Sequence, residues 1–135
     1  MEEEKVFENV RAVIEKSIGK PKSEIQPKHT LFDELGIDSI DLVDILFELE
    51  FLYGVELKIS DIEKKAREQL GDTPYEIEGY ITAEGLQVIQ DFLPELNKDQ
   101  LKEGITVHQL VKVFTVQSLC KIVIFRIEEE NAKKV

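Results

Sequence analysis

The stretch ELGIDSIDLVDILFELE, residues 34–50, sets one hydroxyl, Ser39, among acids and aliphatics with no Lys or Arg in reach. Three chemistries are open to such a serine. It could cap a helix, where a side-chain oxygen accepts an unpaired amide of the first turn. It could be a nucleophile, which needs a neighbouring base and donors for an oxyanion. It could carry a phosphate-linked group, because the free N–H groups and dipole of a helix N-terminus stabilise a phosphodiester. The nucleophile fits worst: there is no GxSxG and no strand–helix alternation, and the carboxylates around Ser39 oppose an oxyanion. A calcium loop also fails, since the acids miss the EF-hand positions and no Gly stands in the sixth place. Capping and attachment both stay open on the residues alone.

The acids near Ser39 form a pattern of their own. Residues 29–57 contain no Lys or Arg and eight acids: Asp33, Glu34, Asp38, Asp41, Asp44, Glu48, Glu50 and Glu56. Residues 1–28 balance six basic against six acidic side chains, so the formal net charge of −11 is concentrated around Ser39. That field repels phosphate backbones and anionic membranes and favours proteins with basic patches. Nucleic-acid binding is therefore not expected. Other chemistry-bearing residues are sparse. Cys120 is the only cysteine, which excludes an internal disulfide and a multi-cysteine metal site. Its place in TVQSLCKIVIF suits a small core residue. His29 and His108 share no HExxH-type spacing with acids, so no metal site is expected.

These residues need a scaffold. At 135 residues the chain is expected to form one domain, with a core of Leu, Ile and Val because Trp is absent. No apolar run nears the roughly 20 residues of a membrane span, and the acidic start MEEEKVFENV is unlike a secretory signal. A cytoplasmic protein is expected. Val6, Val10, Val13 (or Ile14) and Ile18 follow the 3.6 period of a first helix that stops at Gly19. GKPKSEIQPKHT is loop, and LFDELG is a turn whose Leu31, Phe32 and Leu35 enter the core. The second helix starts at Asp38 or Ser39, where Asp38 and Asp41 have capping-box spacing, and ends at Gly54.

Three stripes separate on that second helix. Leu42, Ile45 (or Leu46), Leu49 and Leu52 form the stripe assigned to the core. Ile40, Val43, Phe47 and Phe51 lie on an adjacent face, and Asp41, Asp44 and Glu48 form an acidic ridge. Pattern alone leaves open whether the second apolar stripe is core or a partner surface. Downstream, SDIEKKAREQLG reads as a third helix with Ser60 and Glu63 at capping-box spacing, and TPYEIEGYIT as extended structure. TAEGLQVIQDFLPEL reads as a helix capped by Thr82, with Leu86, Ile89 and Leu93 on one face and Pro94 as its break. LNKDQLKEG is a turn or short helix, and VHQLVKVF is helical. The last helix is capped by Thr115 and buries Val116, Leu119, Cys120, Val123 and Ile127, with fraying expected from Glu128. The expected fold is all-α.

LFDELGIDSIDLVDILFELEFLYGVEL, preceded by an amphipathic helix, resembles an acyl carrier protein. The resemblance is carried by Asp38-Ser39-Ile40, the upstream Leu35-Gly36, the acids along the helix, and an aromatic followed by Gly54-Val55 where it ends. It covers residues 5–59 and resumes at FTVQSLCKIV, 114–123. Residues 60–113 are much longer than the loop and short helix of an ordinary carrier, which points to a specialised member of the family. The implied architecture is an acyl-carrier-like bundle of four core helices, with extra short helices between helix two and the last. As one carrier domain over 1–135, it would place helix one, loop and helix two in 1–59, an insertion in 60–113, the final helix in 114–128 and a frayed tail in 129–135.

The resemblance also implies roles. Ser39 would receive a covalent 4′-phosphopantetheine arm from coenzyme A, added by a separate, magnesium-using phosphopantetheinyl transferase that Asp38 helps to position. The arm's thiol would hold acyl groups as thioesters, so the chain would be a carrier with no catalytic residue and no metal of its own. Ile40, Val43 and Phe47 would form the apolar contact face. Asp41, Asp44 and Glu50, with Glu48 on the same ridge, would meet basic patches on acyl-transferring enzymes of fatty-acid, lipid or lipopolysaccharide synthesis. A monomer is expected. Two other functions remain: a carrier of aminoacyl or polyketide intermediates, and an unmodified acidic helical adaptor in which Ser39 is only a cap.

Overall fold

The computed structural model describes residues 2–96, 98–102 and 104–133. The chain is all-α as expected, with six helices and a single hairpin of two-residue strands among the described residues. It divides into two compact units. The first joins residues up to 58 with those from 115 onward, and the second comprises residues 59–114.

The first unit holds three long helices: α1 (Glu3–Ile18), α2 (Ser39–Tyr53) and α6 (Val116–Lys133). Helix α1 packs against both of the others. It buries Val6, Val10 and Ile14, so Ile14 and not Val13 completes the inward stripe. Each such aliphatic contributes about 1.5–3 kcal/mol when fully removed from water. Gly19 stops α1 in the left-handed region at φ 74°, donating its N–H to Glu15 O at 2.8 Å. The loop that follows is held by buried Ile25, Leu31 and Leu35, while Phe32 is half-buried. It is fastened to the start of α6 where Val116 donates its N–H to His29 O at 3.0 Å and Gln117 to Pro27 O at 2.9 Å.

Thr115 caps α6 as expected. Ser118 N–H donates to Thr115 Oγ1 at 3.2 Å and Thr115 N–H donates to Ser118 Oγ at 3.1 Å, a reciprocal pair that satisfies polar groups inside the core. The inward residues Val116, Leu119, Cys120, Val123 and Ile127 are all buried, joined by Ile122. The tail departs from expectation. Helix α6 runs unbroken past Glu128 to Lys133, because Arg126 pairs with Glu129 and Glu130 one turn on and Lys133 pairs back to Glu130 at 3.5 Å.

The second unit contains α3 (Asp61–Leu70), β1 (Glu76–Ile77), β2 (Tyr80–Ile81), α4 (Ala83–Phe92) and α5 (Val107–Leu110), the last continued by a 3-10 turn at Val111–Val113. Helix α3 packs on α4, and the core includes Ile62, Ala66, Tyr75, Leu86, Ile89 and Leu93. Ser60 does not form the expected capping box. Its backbone is already helical (φ −65°, ψ −8°), so its side chain cannot reach back to an amide of the first turn. Thr82 does cap α4, accepting the Gly85 N–H at 3.0 Å. The extended segment is an antiparallel hairpin turning through Glu78 and Gly79, both at positive φ (54° and 87°), the turn type that matches strand twist. In the expected turn at 96–104, residues 97 and 103 lie outside the described residues.

Candidate functional site

The segment before α2 is tied by hydrogen bonds between Thr30 and Glu34. Glu34 N–H donates to Thr30 Oγ1 at 3.0 Å and Thr30 N–H donates to Glu34 Oε1 at 2.9 Å. That backbone hydrogen bond from Thr30 holds the Glu34 carboxyl below its ordinary range. Gly36 then takes φ 70°, and Ile37 is buried with its N–H on Leu31 O at 2.9 Å. The chain therefore enters the helix at a fixed angle. Asp38 is the N-cap: Asp41 N–H donates to Asp38 Oδ1 at 2.7 Å, and Asp38 N–H donates to Asp41 Oδ2 at 3.2 Å. The capping box read from the spacing is formed in full.

Ser39 is the first residue of α2 and is exposed. The Asp41 amide is taken by the cap and the Leu42 amide by Asp38 O at 3.0 Å. None of the described hydrogen bonds engages the amides of Ser39 and Ile40, which by helix geometry face the N-terminal end. No base lies in hydrogen-bond contact with Ser39 among the described interactions.

Down the helix, Leu42, Ile45, Leu46 and Leu49 face inward. Leu52, assigned to that core stripe from its spacing, is instead 53% exposed, because the helix reaches its last turn before Gly54 and has outrun the core. The second stripe is open to solvent along its whole length, Ile40, Val43, Phe47 and Phe51 being exposed by 74, 57, 69 and 93%. The question left by the pattern is thus resolved against core packing.

The acids divide by what they already do. Asp44 is exposed and no described hydrogen bond or ion pair engages it. Asp41 gives one oxygen to the capping box, and Glu48 meets Lys16 Nζ of α1 at 3.1 Å. Glu50 is half-buried and its Oε2 accepts the Leu57 N–H at 2.8 Å, so it braces the turn after α2. Cys120 is buried, and burial pushes its thiol from an ordinary 9.0 up to about 12, which makes it inert at neutral pH. Among the described residues no group of three or more His, Cys, Asp or Glu could hold a metal, and no helix is long and apolar enough to cross a membrane. Lys16 and Val13 of α1 and the exposed Phe51 were outside the site predicted from sequence. Only the packing of α1 on α2 reveals the first two.

A family model described as the phosphopantetheine attachment site matches residues 8–69. An acyl carrier protein of Thermotoga maritima is 36% identical over 61 residues, covering 45% of this chain and 75% of that protein. One from Rubrobacter xylanophilus is 30% identical over 64 residues, covering 47% of this chain and 79% of its own. The chain belongs to the acyl carrier protein family. It is a carrier and not an enzyme, and it takes a covalently attached 4′-phosphopantetheine. Its partners include a phosphopantetheinyl transferase and acyl-handling enzymes. The residues at the start of α2 fit the group: an exposed hydroxyl stands beside two amides that no described hydrogen bond engages, at the positive end of a helix of 15 residues. The segment after residue 69 lies outside the family match, and most of the second unit lies there.

Proposed function

We propose that Ser39 is the attachment point, and that the carrier delivers acyl groups to enzymes of fatty-acid, lipid or lipopolysaccharide synthesis in the cytoplasm, as a monomer. One observation carries the attachment site: Ser39 is the exposed hydroxyl at the N-terminus of α2, held there by the Asp38–Asp41 box. When bound, the group supplies a terminal thiol that holds acyl chains as thioesters. The protein's own residues do the rest. The Ser39 and Ile40 amides face the negatively charged phosphodiester. Asp38 keeps one carboxylate oxygen, Oδ2, outside the cap, where it can help position the transferase and its magnesium.

Ile40, Val43 and Phe47 are the apolar contact residues, with Asp41, Asp44 and Glu48 as the acids that meet basic patches. Glu50 offers only the oxygen that Leu57 leaves unused. Charge steering with fast exchange suits a carrier that must leave each enzyme quickly. The concentration of acids around α2 favours acyl over aminoacyl or polyketide cargo.

Intact mass after co-expression with a phosphopantetheinyl transferase tests the assignment. The parent should gain the mass of the arm and Ser39→Ala should not. Modification of the Ala variant would move the site elsewhere. No added mass on the parent would leave the acidic-adaptor function.

A further inference from the structure

We propose that the docking surface does not end on α2 but crosses a groove onto α1, where it receives a basic, apolar-tipped segment of an acyl-handling partner. The inference rests on the carrier function proposed above. A groove of ≈ 640 Å³ runs between the two helices, with Val13 and Lys16 of α1 on one wall and Phe47 and Phe51 of α2 on the other. Phe51 is 93% exposed and stands one helical turn beyond Phe47, so two phenyl rings flank an open cleft. Aromatic side chains in such positions bury large area on association and dominate interface energetics.

The rim decides the occupant. Asp41, Asp44 and Glu48 line the groove, and Lys16 is the only cation among its lining residues. A second copy would set like against like, because a two-fold contact matches the same patch with itself. Anionic lipid and nucleic acid are repelled by the same carboxylates. A protein segment bearing one large apolar side chain between Lys or Arg residues satisfies both the rings and the acids. Lys16 bridges the groove to Glu48 at 3.1 Å with both side chains largely exposed, and an ion pair of that kind is weak. Lys16 therefore acts as an internal competitor, which a partner cation displaces from Glu48 as it docks.

Opposite signs are expected from two surface variants. The probe is a helical peptide with a row of leucines flanked by arginines, titrated at low salt into the isotope-labelled carrier. A counterpart peptide has Glu in place of Arg. The arginine peptide should shift the signals of Val13, Phe47 and Phe51. Phe51→Ser should weaken binding about tenfold, and Lys16→Glu should tighten it several-fold, with the gain lost at high salt. Both residues are exposed, so both variants should keep the parent's circular dichroism. Equal affinity of the two variants and the parent would overturn the inference, as would equal binding of the Glu peptide or self-association of the parent through Phe51. Loading of each variant by the transferase is read separately by mass. Normal loading with unchanged peptide binding sinks only the groove, whereas failure of the parent to load sinks the carrier assignment.

Discussion

Asp38 carries two duties that substitution can separate. Its Oδ1 accepts the Asp41 N–H at 2.7 Å, which makes it the structural start of α2. Its charge is also the feature proposed to guide the transferase. Asn caps a helix about as well as Asp, whereas Ala forfeits the bond at a cost of about 1 kcal/mol. The cost should lie near that middle value, because the bond is solvent-exposed and the return bond from Asp38 N–H to Asp41 Oδ2 at 3.2 Å survives in the Ala variant. In a unit of this size about 1 kcal/mol corresponds to a fall of roughly 4–8 °C in Tm. Asp38→Asn should therefore unfold within a degree or two of the parent, with a small loss from the helix dipole, yet load slowly. Asp38→Ala should be both less stable and slow. Thermal denaturation gives the first quantity, and the time course of mass gain with a phosphopantetheinyl transferase gives the second. If Asp38→Asn loads at the parent's rate, the charge has no part in loading. If Asp38→Ala melts with the parent, the capping argument is wrong.

Three further outcomes test the packing. Gly85→Ala should destabilise the second unit by about 1–3 kcal/mol despite better helix propensity, because a Cβ there would lie 2.6 Å from Tyr75 O and 3.1 Å from Ile81 Cγ2. Faster amide exchange at Ile81 and Thr82 would report it, and an unchanged rate would refute the close approach. Tyr75→Phe should leave stability unchanged or raise it, since the buried Tyr75 hydroxyl has no hydrogen-bond partner among the described residues, and a loss above about 1 kcal/mol would reveal one. The Cys120 thiol is raised from 9.0 to about 12, so the folded state keeps it neutral where the unfolded chain ionises. Its contribution to stability should be full below pH 9, fall as pH rises and be lost by about 12. Cys120→Ala should flatten that alkaline decline in a denaturation series.

Local features were legible because their causes are local. The Asp38–Asp41 box, the Thr82 and Thr115 caps and the glycine stops at Gly19 and Gly54 depend on residues within a turn of each other, and the structure forms all of them. Ser60 shows the limit of the same logic. Its spacing to Glu63 is that of a capping box, but the incoming chain gives Ser60 a helical backbone and the bond is not made. The tail after Glu128 shows another: a charged, solvated end is helical through Lys133 because Arg126 faces two acids one turn away.

By itself the sequence determined the helix α2, its cap, the serine at its tip and the acids behind it, since capping and periodicity act over a few residues of one chain. It could not determine which sides of α2 are covered. That helix is apolar over so wide an arc that Leu49 and Leu52 look alike along the chain, yet one is fully buried and the other half open. Tertiary packing, with α1 lying against α2 in the first unit, decides this, because burial depends on what stands opposite a residue. The same packing brings Lys16 to Glu48, 32 positions apart, and opens the groove that the two phenylalanines flank. The serine and the stripes behind it were legible from their neighbours in sequence, and the wall that α1 sets beside them only from neighbours in space.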